Sequence, residues 1–170
     1  SGVCDYKMPD DTTCIQKIRN LVDKFGHNDK AGFDRIEPQM PSSKMEDIYG
    51  IFPEDQSKQY DMPSLIKCLV DNGEIDLYKE LYGQSIICGY ARIDGWAVGI
   101  VANNRKVSKS KKGEMQFGGV IYSDSADKAA RFIMNCNQKK IPLVFLQDVT
   151  GFMVGSRSEQ AGIIKDGAKL

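Results

Sequence analysis

The sequence predicts an α/β fold, and three observations support this. Helix-like and strand-like segments follow one another in the order helix, linker, helix, hairpin, helix, strand, helix. The dipeptide Asp94-Gly95 separates two apolar runs, which is a strong hairpin signal. The run at 143–146, LVFL, is almost continuously apolar, as in a strand covered on both faces.

The first element is an amphipathic helix near the N-terminus. Asp10, Asp11 or Thr12 offers its N-cap, and Gly26 offers its C-terminal stop. Its apolar positions recur every three or four residues and are Cys14, Ile18, Leu21, Val22 and Phe25.

The next segment, residues 27–62, predicts a linker with short helical turns at most. It contains Pro38, Pro41 and Pro53, and proline restricts both its own backbone and that of the residue before it. A helix then opens at Asp61-Met62-Pro63 and ends near Asn72-Gly73.

Strands and helices fill the C-terminal part. The hairpin strands are Ser85–Arg92 and Trp96–Ala102, and a basic, glycine-ended loop follows them. Ser123, Asp124 or Ser125 caps the next helix, which Pro142 ends. After the LVFL strand, Ser156-x-x-Glu159 predicts a capping box for one last helix. That helix has no C-cap before Leu170, so we expect the chain to be an internal fragment of a longer protein.

The composition excludes several classes of protein. Lys and Arg number 23 and Asp and Glu number 23, so the formal charge of zero argues against a nucleic-acid binder. No apolar run approaches the roughly 18 residues of a membrane span, and the N-terminus lacks the pattern of a signal peptide. We expect a cytoplasmic protein with no direct membrane insertion.

The cysteines and the histidine do not predict a metal site. Five cysteines at wide spacing form no CxxC pair, which favours free, mostly buried thiols over a disulfide framework. His27 is the single histidine, and a surface position suits it better than a catalytic one. Trp96 is expected in the core, like the thiols.

The strongest local candidate for chemistry is the passage DVTGFMVG, between a strand and a helix. Ligands of α/β proteins gather beyond the carboxyl ends of strands. Glycine lets backbone N–H groups approach a substrate oxygen, and such groups stabilise a developing oxyanion. From spacing alone, a plain tight turn explains the passage better than an oxyanion site does.

Other polar residues give weaker signals. The basic loop 105–112 could contact phosphates of a cofactor such as coenzyme A, although a solvated loop is the simpler interpretation. Glu114 and Asp148 are candidate acid or base groups, and Asp148 is expected to hydrogen-bond the turn that follows it. Ser156 and Ser158 have no base partner, which argues against a nucleophilic serine.

Several long motifs resemble one known family. The motifs are VGIVANN, MQFGGVIYSDSADKAARFI, IPLVFLQDVTGFMVG and GIIKDGAKL, in this order. They resemble the carboxyltransferase (β) subunits of biotin-dependent acyl-CoA carboxylases, most closely the methylcrotonyl-CoA carboxylase branch. The resemblance covers nearly the whole chain and is weakest at residues 27–45.

The resemblance implies a crotonase-like (ClpP/crotonase) fold of stacked ββα units. A full subunit of that family has two such halves, of which the N-terminal one binds acyl-CoA and the C-terminal one carboxybiotin. Residues 1–45 would be the tail of the N-terminal half and the linker, and residues 46–170 the front of the C-terminal half. The implied partners are a biotin carboxylase or biotin carrier subunit, the acyl-CoA, and further copies in a homo-oligomer.

The resemblance also implies a mechanism without a metal or a nucleophile on this chain. Carboxybiotin and a coenzyme A thioester react while backbone amides hold two oxyanions. Thr150, Gly151 and Phe152 would form one wall of the carboxybiotin pocket, with Gly151 and Phe152 contacting the ureido group and Gly118 and Gly119 nearby. The second glycine-rich segment and the thioester site would lie elsewhere, so the fragment alone would be inactive.

Two alternatives stay open. One is a biotin-dependent acyl-CoA decarboxylase subunit of the glutaconyl-CoA type. The other is an isolated fragment with no activity, whose exposed half-core would promote aggregation or self-association.

Overall fold

The computed structural model describes residues 5–25, 34–55, 58–110 and 113–170. A 3₁₀ turn covers Met45–Asp47. The helices are α1 (Asp11–Phe25), α2 (Ile48–Ile51), α3 (Met62–Lys67), α4 (Ser123–Lys139), α5 (Ser156–Gln160) and α6 (Ile163–Gly167). The strands are β1 (Ile75–Leu77), β2 (Ile86–Ile93), β3 (Trp96–Asn103), β4 (Ser108–Lys109), β5 (Met115–Gln116), β6 (Val120–Ile121), β7 (Leu143–Leu146) and β8 (Gly151–Phe152).

The main sheet has the order β1-β2-β3-β7, with β1 to β3 antiparallel and β7 parallel to β3. The predicted hairpin is confirmed: Asp94 and Gly95 connect β2 to β3 with φ of 50° and 77°. Both values are positive, as a type I′ turn requires. The carboxylate of Asp71 accepts the N–H groups of both turn residues and thereby fixes the turn.

The two faces of this sheet are covered by different helices. α3 and the turn after it pack on one face, where Ile66 of α3 and Val70 of the turn meet Ile87 of β2 and Ile100 of β3. α4 packs on the other face, where Phe132 and Cys136 meet Cys88 and Tyr90 of β2. A Cβ added at Gly99 would lie 2.6 Å from Cys136 Sγ, so the glycine permits the close approach of α4.

The linker prediction is confirmed where the structure describes that segment. Only the 3₁₀ turn and α2 interrupt the described residues between 34 and 60. The segment is attached to the hairpin, because Arg35 bridges to Trp96 and the Arg35 guanidinium pairs with Asp94.

Three local predictions are wrong. β7 is the edge of the sheet in the described part of the chain, and Phe145 is 56% exposed, so LVFL is not covered on both faces. The basic loop contains the short hairpin β4–β5. The last helix is two helices, since Gly162 has a left-handed φ of 97° between α5 and α6.

The predicted helix starts need small corrections. Gly155 is the N-cap of α5 and Ser156 its first residue, and the carboxylate of Glu159 accepts the Gly155 N–H at 3.3 Å. α4 begins at Ser123 with Tyr122 as N-cap, whose N–H donates to Ser125 Oγ.

The apolar face of α1 is only half covered. Leu21 and Phe25 pack against the core beneath α4, whereas Ile18 and Val22 are more than half exposed. Salt bridges from Lys17 and Lys24 to Asp76 attach the helix to β1. Gly26, the predicted stop of this helix, lies outside the described residues.

The burial predictions for thiols and tryptophan are confirmed in part. Cys68, Cys88 and Cys136 are free and buried, but Cys14 is exposed. Trp96 is 37% exposed beneath the Arg35 guanidinium and is therefore not a core residue. Among the described residues, no helix is both long and apolar enough to cross a membrane.

Candidate functional site

Two glycine-bearing turns meet beyond the ends of β3 and β7. Gly118 and Gly119 lead into β6, and Thr150 leads into β8. β6 and β8 pair in parallel, and the Thr150 N–H donates to Gly119 O at 2.8 Å. The structure therefore brings together the two segments that the sequence singled out, although they are far apart in the chain.

Glycine is required at both positions of the first turn. A Cβ at Gly118 would lie 2.0 Å from the carbonyl oxygen of Arg105, a contact that no side chain can make. Gly119 has a φ of 75°, and its Cβ would lie 2.3 Å from Arg105 Nη1. Arg105 thus contacts this turn with both its main chain and its side chain.

The second turn leaves open space. Gly151 has a φ of 153°, and nothing lies within 4 Å of a Cβ added there. On either side of it, the Thr150 N–H donates to Gly119 O and the Met153 N–H donates to Ile121 O, both at 2.8 Å.

Phe152 lies on the surface beside this turn. The residue is 44% exposed. Its edge covers Gly167, where an added Cβ would lie 2.5 Å from Phe152 Cε1. The structure thus links β8 to α6.

A partly buried polar cluster lies next to the two turns. The Tyr60 hydroxyl donates to Asp148 Oδ2 at 2.8 Å, and Arg105 Nε lies 3.4 Å from the same oxygen. The Asp148 N–H donates to Asn103 Oδ1. Burial raises the pKa of Tyr60, and its hydrogen bond to Asp148 raises it further.

The prediction that Asp148 hydrogen-bonds the turn after it is wrong. Its carboxylate instead accepts from Tyr60 and pairs with Arg105. Tyr60 arrives from the segment before α3, 88 positions away, so no local pattern signals this contact.

The other candidate groups lie outside this cluster. Glu114 forms an exposed ion pair with Arg157 at 2.5 Å. In the basic loop, Lys106 pairs with Asp61, the N-cap of α3. The predicted candidates that lie outside the described residues are His27, Lys111 and Lys112.

No signal in the sequence indicated the buried position of Lys128. Lys128 of α4 donates to Ile86 O at 2.9 Å, and burial lowers its pKa to about 8. It lines a cavity of about 310 Å³ together with Asn104, Val107 and Ser108. Within the described ranges, no group of three or more His, Cys, Asp or Glu side chains could hold a metal ion.

Comparisons with known proteins give one consistent family. The family described as "Carboxyl transferase domain" matches residues 1–170. The methylcrotonoyl-CoA carboxylase beta chain of Dictyostelium discoideum is 42% identical over 170 residues, which are 100% of this chain and 26% of that protein. A biotin-dependent 3-methylcrotonyl-coenzyme A carboxylase beta1 subunit of Mycobacterium tuberculosis is 38% identical over 100% of this chain and 30% of its own length.

A solved structure agrees with the sequence relatives. The transcarboxylase 12S structure, described as a hexamer with methylmalonyl-coenzyme A bound, superposes with a TM-score of 0.84 at 32% identity. The match covers 99% of this chain and 31% of that one. The chain thus spans less than a third of the length of each of these relatives.

Proposed function

Because the chain belongs to the carboxyl transferase domain family, we propose that it is part of a subunit that transfers a carboxyl group from carboxybiotin to the α or γ carbon of an acyl-CoA. The crotonase-like α/β fold expected from the resemblance is confirmed by the solved transcarboxylase relative. The substrates and the activity of the whole subunit are our proposal.

The observation that supports this proposal is the meeting of Gly118 and Gly119 with Thr150 and Gly151. The ureido group of biotin is neutral, flat and oxygen-bearing, so it suits a turn of backbone amides better than a charged pocket. The open space beside Gly151 leaves room for such a group. The residues present therefore fit a bound biotin.

The roles of the chain's own residues follow from this fit. Carboxybiotin, when bound, supplies the carboxyl group and a ureido nitrogen that can accept the substrate proton. The Gly151 and Phe152 backbone would donate to the oxygen that gains negative charge, and Thr150 would form the wall of the pocket. Donors fixed before the reaction stabilise such charge without reorganising.

This chain would supply only one side of the reaction. We propose that the acyl-CoA thioester lies on the N-terminal half, of which residues 1–45 are the tail, and that residues 46–170 begin the half that binds biotin. The proposed partners are a biotin carboxylase or biotin carrier subunit and further copies of the subunit. We propose a cytoplasmic location, and a mitochondrial one is the alternative because the Dictyostelium relative carries that word in its name.

Transcarboxylation to free biotin tests the proposal. The donors would be methylglutaconyl-, methylmalonyl-, malonyl- and glutaconyl-CoA, offered to this chain and to the longer subunit that carries it. We expect turnover by the longer subunit alone, and the preferred donor would identify the acyl group. If a folded subunit turned over none of these donors, carboxyl transfer would be refuted, whether the protein is a carboxylase or a decarboxylase.

A glycine substitution tests the site itself. Gly118→Ala should abolish turnover, because its Cβ would collide with the Arg105 carbonyl and displace the turn. Gly50→Ala is the matched control, since nothing lies within 4 Å of its Cβ. Equal rates for the two variants would contradict the placement of the site.

A further inference from the structure

Arg105 joins the two glycine turns of the candidate site. Its carbonyl oxygen lies 2.0 Å from the position of a Cβ added at Gly118, and its Nη1 lies 2.3 Å from that of a Cβ added at Gly119. Thr150 Oγ1 is the next nearest side-chain atom to that Gly119 position, at 3.2 Å. The side chain is only 18% exposed.

Neighbouring contacts hold Arg105 on both sides. The side-chain amide of Asn104 donates to Gln84 O and its oxygen accepts the Lys106 N–H, which fixes the backbone around residue 105. Asp148 lies 3.4 Å from Arg105 Nε and is itself bound by the Tyr60 hydroxyl. Asp148 lies two residues before Thr150. The Arg105–Asp148 ion pair therefore connects the loop after β3 to the segment after β7.

Two backbone hydrogen bonds continue the connection. The Gly119 N–H donates to Asn104 O at 2.9 Å, and the Thr150 N–H donates to Gly119 O at 2.8 Å. A shift of Arg105 would therefore move Gly119 and, through it, Thr150 and Gly151. Geometry of this kind matters because a misplacement of about 1 Å can cost roughly 100-fold in rate.

We propose that Arg105 is a positioning residue of the candidate site, which sets the separation of the Gly118-Gly119 and Thr150-Gly151 turns through its contacts with Gly119 and Asp148. The proposal rests on the proposed function for its kinetic consequence. Its structural consequence can be measured separately.

The test compares Arg105→Gln with Arg105→Lys and with Arg35→Gln. Arg35 pairs with Asp94 at the opposite end of the same hairpin, so its variant loses an ion pair that lies far from the site. Amide hydrogen exchange of Gly119 and Thr150, kcat and KM would all be measured in the longer subunit that carries this chain. R105Q should speed exchange at these amides about tenfold or more. It should lower kcat about 100-fold with little change in KM.

R105K should recover part of both effects, because its ammonium can still reach Asp148 but lacks the planar fork of guanidinium. R35Q should leave exchange at Gly119 and Thr150 and kcat as in the unmodified protein. Normal exchange in R105Q overturns the proposal, even where kcat falls. The two proposals can be told apart. If R105Q speeds exchange but the unmodified subunit transfers a carboxyl group from no donor, the positioning role is upheld and the proposed function is refuted.

Discussion

At the scale of single residues, buried carboxylates fix the positions of chain segments. Asp76 accepts an ion pair from Lys17 and one from Lys24, and its side chain is 9% exposed. Burial alone would raise the pKa of Asp76, but hydrogen bonds from Lys24 and Lys17 outweigh it and hold the pKa below its usual value. The charged form is therefore the one that stabilises the attachment of α1.

Asp76→Asn should lower the free energy of unfolding by about 3 kcal/mol at pH 7, because it leaves two ammonium groups partly buried without a counter-charge. A depressed pKa in the folded state stabilises the protein above the unfolded value of about 3.9, and this contribution is lost as the pH falls below it. Urea unfolding at pH 7 and pH 3.5 should show the difference between the proteins shrinking at the lower pH.

The control for that experiment is Asp94→Asn, which removes an exposed ion pair with Arg35. Exposed pairs contribute at most about 1 kcal/mol. If Asp76→Asn cost no more than this control, or if its effect did not depend on pH, Asp76 would not anchor the helix.

Single residues also show which parts of the candidate site could be predicted from the sequence and which could not. Gly118, Gly119, Gly151 and Phe152 could be named because the motifs that contain them resemble those of a known family. Tyr60 could not be named, since its meeting with Asp148 depends on the packing of α3 against the sheet. The functional roles of the four motif residues remain proposals.

At the scale of elements, the sequence correctly predicted those helices and strands that local interactions determine. The hairpin, α1 and α4 follow from turn chemistry and helical spacing. Two of the wrong predictions about elements have different causes. The exposure of Phe145 depends on what lies beside β7, which is distant in the chain. The division into α5 and α6 has a local cause, the left-handed φ of Gly162.

The C-terminus of α4 gives a test at this scale. Lys140 is the C-cap of α4 and adopts the left-handed conformation, with φ of 56° and ψ of 34°. That conformation costs a non-glycine residue about 1 kcal/mol. Lys140→Gly should therefore raise Tm by roughly 2–4 °C, measured by circular dichroism.

Lys139→Gly serves as its control, because the same substitution one residue earlier falls within the helix. Glycine in a helix costs about 1 kcal/mol, so this variant should melt earlier. Loss of stability in both variants would show that the strain at Lys140 is not relieved by glycine.

At the scale of the whole molecule, apolar surface remains uncovered. β7 ends the described sheet with Phe145 on its outer surface, and α1 exposes Ile18 and Val22. Open sheet edges pair readily with other chains. The uncovered surface agrees with a chain that spans less than a third of its relatives.

The isolated chain should accordingly self-associate, and Phe145→Lys should weaken this. Burial of one phenylalanine contributes about 2 kcal/mol. The dissociation constant from analytical ultracentrifugation should therefore rise more than about tenfold. Met134→Lys on the exposed face of α4 is the control, and an equal effect there would indicate nonspecific attraction.

The connectivity of the two turns has a consequence for synthesis of the chain. β2 and β3 are joined by a tight turn, so they can pair as soon as they leave the ribosome. The Gly118-Gly119 turn must instead wait until α4, β7 and Thr150 have been made, because its partner strand is β8. Contacts between distant positions form slowly. A nascent chain that stalls within α4 would therefore hold a folded hairpin, but its two glycine turns would not yet have met.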